Sequence, residues 1–189
     1  MGLERVRRAV AVAAAVAGIV PLAGCGLLGS GNVLLTPSVM TVSSGAFSAD
    51  TLPVRYTCLD RKPINPPLGW SGAPPGTKSI ALVLDDSSAP ITPYVYWLVF
   101  DISPETSAIQ EGQLPTGARQ AQNSAGAAAY KPPCPHGGSH SYRFTVYALK
   151  SAINLPESTP LRSAWTAIAA ATIGRGRVTV TAYSSPPPS

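Results

Sequence analysis

Tyr130-Lys131-Pro132-Pro133-Cys134-Pro135-His136-Gly137-Gly138-Ser139-His140-Ser141-Tyr142 runs directly into Arg143-Phe144-Thr145-Val146-Tyr147-Ala148-Leu149. The first part is too rich in Pro and Gly for a helix or a central strand, so it reads as an irregular loop. The second part is aromatic and β-branched and reads as a strand. The loop holds both histidines of the chain and one of its three cysteines. A stiff loop carrying imidazole and phenol groups at the mouth of a strand is a natural place for binding chemistry.

Outward from this stretch the pattern stays β. Upstream, Lys78–Leu84 is an apolar run suited to a central strand, closed by Asp85-Asp86-Ser87-Ser88-Ala89-Pro90. Tyr94–Ile102 is a second strong strand, apolar enough to be buried on both faces, with Trp97 as its core residue and Tyr96 on the opposite face. Further upstream, Val39–Ser43 alternates as a strand, Leu52–Cys58 reads as an edge strand because Pro53 cannot donate to a ladder, and Leu68–Trp70 as a short strand. Pro104–Gly112 could hold one helical turn, and Gln113–Ala129 reads as a long loop. Downstream, Thr159 as N-cap and Pro160 at the first helical position open a helix. Leu161, Trp165, Ile168 and Ala169 share its face and Gly174 could cap its end. Arg177–Tyr183 is a last alternating strand. The expected fold is mainly β.

The N-terminus has a different composition. Arg5, Arg7 and Arg8 precede a short apolar run, Val10–Val20, and then Leu22-Ala23-Gly24-Cys25. A membrane-spanning helix needs about 20 apolar residues, and Pro21 and Gly24 interrupt this run. The segment resembles a bacterial lipoprotein signal whose lipobox ends at Cys25, which would carry the lipid and anchor the protein to the outer face of the cell membrane. The alternatives are an uncleaved anchor or an ordinary secretory signal. Residues 1–25 are thus read as leader, 26–38 as tether, 39–185 as the domain, and 186–189 as a frayed tail. With the leader removed, 11 basic and 8 acidic residues remain, a net charge of +3, with no Lys/Arg stripe. Nucleic acid is therefore not an expected partner.

With Cys25 lipidated, Cys58 and Cys134 form an even pair, expected to be bonded in an oxidising compartment, with two buried free thiols as the alternative. The two cysteines with His136 and His140 lack the paired short spacings of structural zinc, so no metal is expected. There is no Gly-x-Ser-x-Gly elbow, no His-Glu-x-x-His and no glycine-rich nucleotide loop. Neither enzymatic activity nor a cofactor is expected.

Several motifs, in order, carry a resemblance: Tyr56-Thr57-Cys58, Asn65-Pro66-Pro67-Leu68-Gly69-Trp70, Pro75-Gly76-Thr77-Lys78-Ser79, Asp86-Ser87-Ser88-Ala89-Pro90, Tyr96-Trp97, Pro133-Cys134-Pro135, His140-Ser141-Tyr142-Arg143-Phe144 and Tyr147-Ala148-Leu149. Together, over about residues 39–184, they resemble the phosphatidylethanolamine-binding protein family, in the style of its bacterial, Raf kinase inhibitor-like members. The resemblance implies a β-sandwich with a large antiparallel sheet, a smaller sheet and few peripheral helices. It also implies a small pocket for phosphate or a phospholipid head group, lined by Asp86, Tyr96, Pro133, His140 and Tyr142. This sequence departs from the family pattern there: the pocket histidine falls on Tyr96, the Gly of the wall on Pro132, the second aspartate on Ser88, and an arginine on Ser141. Tyr96 removes one imidazole and adds bulk, and Pro132 removes a backbone N–H that could meet an anion. Two readings stay open: a lipid-anchored binder of a small anionic ligand, or a protein-interaction module of the kinase- or peptidase-inhibitor kind with a degenerate pocket, contacting its partner through Gln113–Ala129. For the acid pair, Asp86 is placed in the pocket wall and Asp85 at a solvated strand end. His136 is expected to be exposed, and the Tyr142 hydroxyl to sit on Asp86 or on ligand.

Overall fold

The computed structural model describes residues 37–88 and 92–185. The leader with Cys25, nearly all of the tether, and the tail 186–189 lie outside the described residues. In chain order the elements are β1 (Ser38–Val39), β2 (Thr41–Ser43), β3 (Leu68–Ser71), β4 (Ser79–Asp86), β5 (Tyr94–Ile102), β6 (Ala108–Ile109), β7 (Arg119–Gln120), β8 (Ser139–Leu149), α1 (Leu161–Ala171) and β9 (Thr172–Tyr183). The large sheet has the order β1-β9-β8-β4-β5-β7 and the small one β2-β3-β6. The large sheet is antiparallel except at its edge, where β1 runs parallel to β9, so it is mixed rather than wholly antiparallel.

Two hydrophobic layers sandwich the large sheet. Between the sheets, Ile80, Leu82 and Leu84 of β4 pack with Phe144 and Val146 of β8 and with Leu68 and Trp70 of β3. On the other side, Ala81 and Val83 of β4 pack with Leu98 and Phe100 of β5 beneath Ala164, Ile168 and Ala171 of α1. Strand β4 is buried along its whole length because it serves both layers, and its unbroken apolar run follows from that.

Several elements differ from the sequence expectation, each for a local reason. Val39–Ser43 is two strands in different sheets. Met40 sits between them, buried, its N–H donating to the Arg175 carbonyl at 2.9 Å while β2 turns to the small sheet. Ser38, assigned to the tether, already pairs with Gly174. Leu52–Cys58 is no strand: Val54–Tyr56 forms a 3-10 turn, with the Tyr56 N–H donating to the Pro53 carbonyl at 3.0 Å. Pro104–Gly112 contributes the short strand β6 rather than a helical turn. The Gln113–Ala129 segment is pinned to the sheet edge by β7 and by the Ser124 N–H donating to the Val95 carbonyl at 2.9 Å. Strand β8 begins at Ser139, so His140 and Tyr142 lie on the strand and the irregular loop ends at Gly138.

Helix α1 begins one residue late. Pro160 occupies the capping position without a side-chain cap, and Thr159 is buried. Its buried stripe is Ala164, Ile168 and Ala171, the two alanines letting the helix approach the sheet, whereas Trp165 is 43% exposed and Ala169 is exposed too. Gly174 does not cap the helix; β9 starts at Thr172, whose hydroxyl donates to the Ile168 carbonyl at 2.7 Å. Gly174 and Gly176 serve close packing instead. A Cβ on Gly174 would lie 2.8 Å from Pro74 Cδ, and one on Gly176 would overlap the Met40 carbonyl. Alanine normally improves on glycine within a strand, but here the obstacle is backbone. Gly176→Ala is expected to destabilise the domain by about 1–3 kcal/mol, read as a lowered melting temperature.

Candidate functional site

Asp85 and Asp86 end β4 side by side, and alternation sends their side chains to opposite faces of the large sheet. On the helix side, Asp85 receives both Nε (3.1 Å) and Nη2 of Arg143. It is buried, not a solvated strand end. This carboxylate bond holds the Arg143 guanidinium above its ordinary pKa. On the sandwich side, Asp86 Oδ2 lies 2.8 Å from His140 Nδ1, and Asp86 Oδ1 accepts the Ser88 N–H at 2.7 Å. The Asp86 side chain is 6% exposed and that of His140 30%, so the carboxylate is covered while the imidazole edge meets solvent.

Two tyrosines continue the site inward. Tyr142, two residues beyond His140 on β8, is fully buried, its ring centroid 6.3 Å from the imidazole and 5.4 Å, edge-on, from the Tyr96 ring. Tyr96 packs in turn on Tyr94 at 4.8 Å. The Tyr142 hydroxyl has no hydrogen-bond partner of acceptable geometry, so it does not sit on Asp86. Burial pushes its phenol up, and the neighbouring Tyr96 phenol and Asp86 carboxylate push in the same direction. Burial likewise raises Tyr96, against a lowering contribution from Tyr142. An unpaired buried hydroxyl costs about 1–3 kcal/mol, and the Tyr96 hydroxyl is the polar group that the Tyr142 hydroxyl faces.

A bulge places Tyr96. Leu84 pairs with Trp97 and Asp85 with Val95, so the register skips Tyr96. Tyr96 and Trp97 therefore face the same layer instead of opposite ones, and both are core residues. Bulges re-aim side chains beside sites in this way.

The loop before β8 is fixed at several points. The Tyr130 hydroxyl donates to the Tyr56 carbonyl at 2.7 Å, the Lys131 N–H to the Tyr96 carbonyl at 3.0 Å, and the Cys58 N–H to the Pro133 carbonyl at 2.9 Å. Cys58 and Cys134 are disulfide-bonded. Pro133 is buried, but its contact is the carbonyl bond to the Cys58 N–H and not one to His140, Tyr142 or Tyr96, whereas His136 is exposed. Asp86, Tyr96, His140 and Tyr142 thus form one contiguous cluster. Ser88 and Ser141, positions where the family pattern has opposite charges, are in direct contact, the Ser141 N–H donating to Ser88 Oγ at 2.9 Å. Tyr94 and the Asp85–Arg143 pair were not singled out from the sequence as site neighbours; the only signal was the position of Tyr94 two residues from Tyr96 and of Arg143 next to Tyr142. Among the described residues no cluster of three or more His, Cys, Asp or Glu could hold a metal ion.

A profile described as phosphatidylethanolamine-binding protein matches residues 42–184. A UPF0098 protein of Methanothermobacter thermautotrophicus is 39% identical over 122 residues, covering 61% of this chain and 80% of its own. A Mycobacterium tuberculosis protein named "Putative lipoprotein LppC" is 38% identical over 142 residues, covering 74% of this chain and 70% of its own. The crystal structure of YbcL from E. coli, described as a new member of the mammalian PEBP family, superposes with a TM-score of 0.69 at 27% identity, over 76% of this chain and 97% of that one.

Proposed function

Because the chain belongs to the phosphatidylethanolamine-binding protein family, we propose that it is an exported, lipid-anchored binding protein whose site takes a small anionic group such as phosphate or a phospholipid head group. The observation that carries this reading is the Asp86–His140 pair beside the orphaned Tyr142 hydroxyl. With Nδ1 occupied by Asp86, the second imidazole nitrogen is the one left for a guest. When the ring is protonated, that nitrogen donates, and the Asp86 charge is balanced. An anion is then met by N–H and O–H donors without facing a bare carboxylate. No nucleophile–base pair is assembled in the site, so binding rather than turnover is proposed. Anchoring through Cys25 at the outer face of the membrane is supported by Leu22-Ala23-Gly24-Cys25 and by the name of the mycobacterial relative.

Asp86 and His140 touch directly, leaving no room for a ligand between their side chains. That contact favours a second reading, a regulatory protein-interaction module that meets its partner through Gln113–Ala129, in which residues 113, 114, 116, 117 and 124–127 are exposed. Imidazole NMR signals followed against pH separate the two readings. Residues 37–185 contain every described strand and both cores, and YbcL consists of little beyond the matched region, so the domain lacking residues 1–25 is the sample. Phosphate or phosphoethanolamine is expected to raise the His140 titration midpoint, because a bound anion favours the charged ring, and to leave His136 unmoved. By the same linkage, phosphate binds more tightly as pH falls through that midpoint. If neither ring responds at millimolar ligand, the anion site is absent and the interaction reading stands.

A further inference from the structure

The opposite, helix-covered face of the large sheet carries a cavity of about 510 Å³ between β8, β9 and α1. This size falls within the range of about 300–1,000 Å³ usual for small-molecule sites. Its walls are of two kinds. Val95, Tyr147, Leu161 and Trp165 supply apolar surface, with Trp165 edge-on to Tyr147 at 6.1 Å and 43% exposed. Around them stand Arg162, Arg175 and Arg177, all exposed. The one carboxylate in the wall, Asp85, is already bound by Arg143. Among the described residues the other three arginines have no carboxylate partner, and outside them the sequence holds a single acid, Glu4. Arg177 Nε is oriented by Thr145 Oγ1 at 3.0 Å.

We propose that this cleft is a second binding site, separate from the Asp86–His140 cluster, for an organic anion with an apolar body, of the chemical class of a fatty acid. Charge complementarity decides the head: three uncompensated guanidiniums at the rim match a carboxylate through charge-assisted hydrogen bonds. The walls decide the body: a bare inorganic anion would leave the Trp165–Tyr147 surface in water, and a neutral chain would leave the arginines without a partner. A concave site of this volume also fits a single molecule better than the flat face of a bilayer.

Trp165 is the reporter, because Trp70 and Trp97 are 7% and 2% exposed and insensitive to solvent. Dodecanoate below its micelle concentration is expected to shift the domain's fluorescence to the blue, saturably, and the shift is expected to vanish in Trp165→Phe. Acetate should give no shift, and 1-dodecanol should bind about tenfold or more weakly. Arg162→Gln/Arg175→Gln should weaken dodecanoate by a similar factor at an unchanged melting temperature, both side chains being exposed and without a side-chain hydrogen bond among the described residues; Arg177→Gln, whose Nε holds the buried Thr145 hydroxyl, repeats the test with its melting temperature followed alongside. No saturable Trp165 response, equal affinity for the alcohol, or equal affinity in the arginine variants would overturn the proposal. So would a dimer in which Trp165 is already shielded without ligand, since a second copy would then be the occupant.

Discussion

Replacing both Cys58 and Cys134 with serine is expected to lower the unfolding free energy of the domain by about 4 kcal/mol. The bond joins positions 76 residues apart, a loop that contains β3, β4, β5, β6 and β7. Opening it returns the entropy of that loop to the unfolded chain, and a loop of such length stands near the upper end of what a single cross-link supplies. The folded loop has other attachments: Tyr130 to Tyr56, Lys131 to Tyr96, and Cys58 N–H to the Pro133 carbonyl. The native geometry should therefore survive the substitution, and the loss should appear as a lower urea midpoint with native-like spectra. Refolding in reductant should give the same midpoint as the double serine variant. A loss below about 1 kcal/mol would contradict the chain-entropy account and assign the loop's order to its hydrogen bonds alone.

What the sequence made legible tracks how much of each residue's environment is local. Strands β4 and β5 stood out because burial on both faces leaves an unbroken apolar run, and Tyr94–Ile102 is observed with those bounds. The family motifs brought Asp86, Tyr96, His140 and Tyr142 to one place because they fix positions along three adjacent strands, β8, β4 and β5, and β4 pairs Asp86 with Tyr142. What failed depended on distant partners. Tyr96 and Trp97 alternate in sequence, yet the bulge in their pairing with β4 turns both to one face, and nothing within β5 announces it. Asp85 beside Asp86 looked like a solvated end because its partner Arg143 lies 58 residues away. The helix stripe was misplaced because Trp165 has the larger apolar surface, whereas close approach to the sheet selects Ala164 and Ala171. Gly174 had the signature of a helix cap but is required by the nearby Pro74 ring.

These long-range dependences meet at Trp97, where the second large effect is expected. Trp97 is 2% exposed, its ring stands edge-on to Tyr130 at 5.4 Å, and its Nε1–H donates to Gln120 Oε1 at 2.7 Å. It thus holds the site loop on one side and β7, the edge of the large sheet, on the other. Trp97→Ala should cost about 3–5 kcal/mol, the transfer of a large aromatic plus the cavity left behind. Trp97→Phe keeps most of the packing and removes only the N–H, whose acceptor Gln120 is partly exposed and can turn to water, so about 1 kcal/mol is expected. The site adds a second readout. Because the bulge sets Tyr96 and Trp97 on the same face, the cavity left by alanine adjoins the Tyr96–Tyr142 pair. In Trp97→Ala the Tyr130 ring loses its partner, and hydrogen exchange at the Lys131 amide, which donates to Tyr96, should accelerate. In Trp97→Phe it should stay protected. Equal exchange in the two variants would mean that the loop is held by the disulfide and not by this ring. The His140 titration would then be expected to respond to phosphate alike in wild type and Trp97→Ala, because the support of the imidazole would run through Asp86 alone.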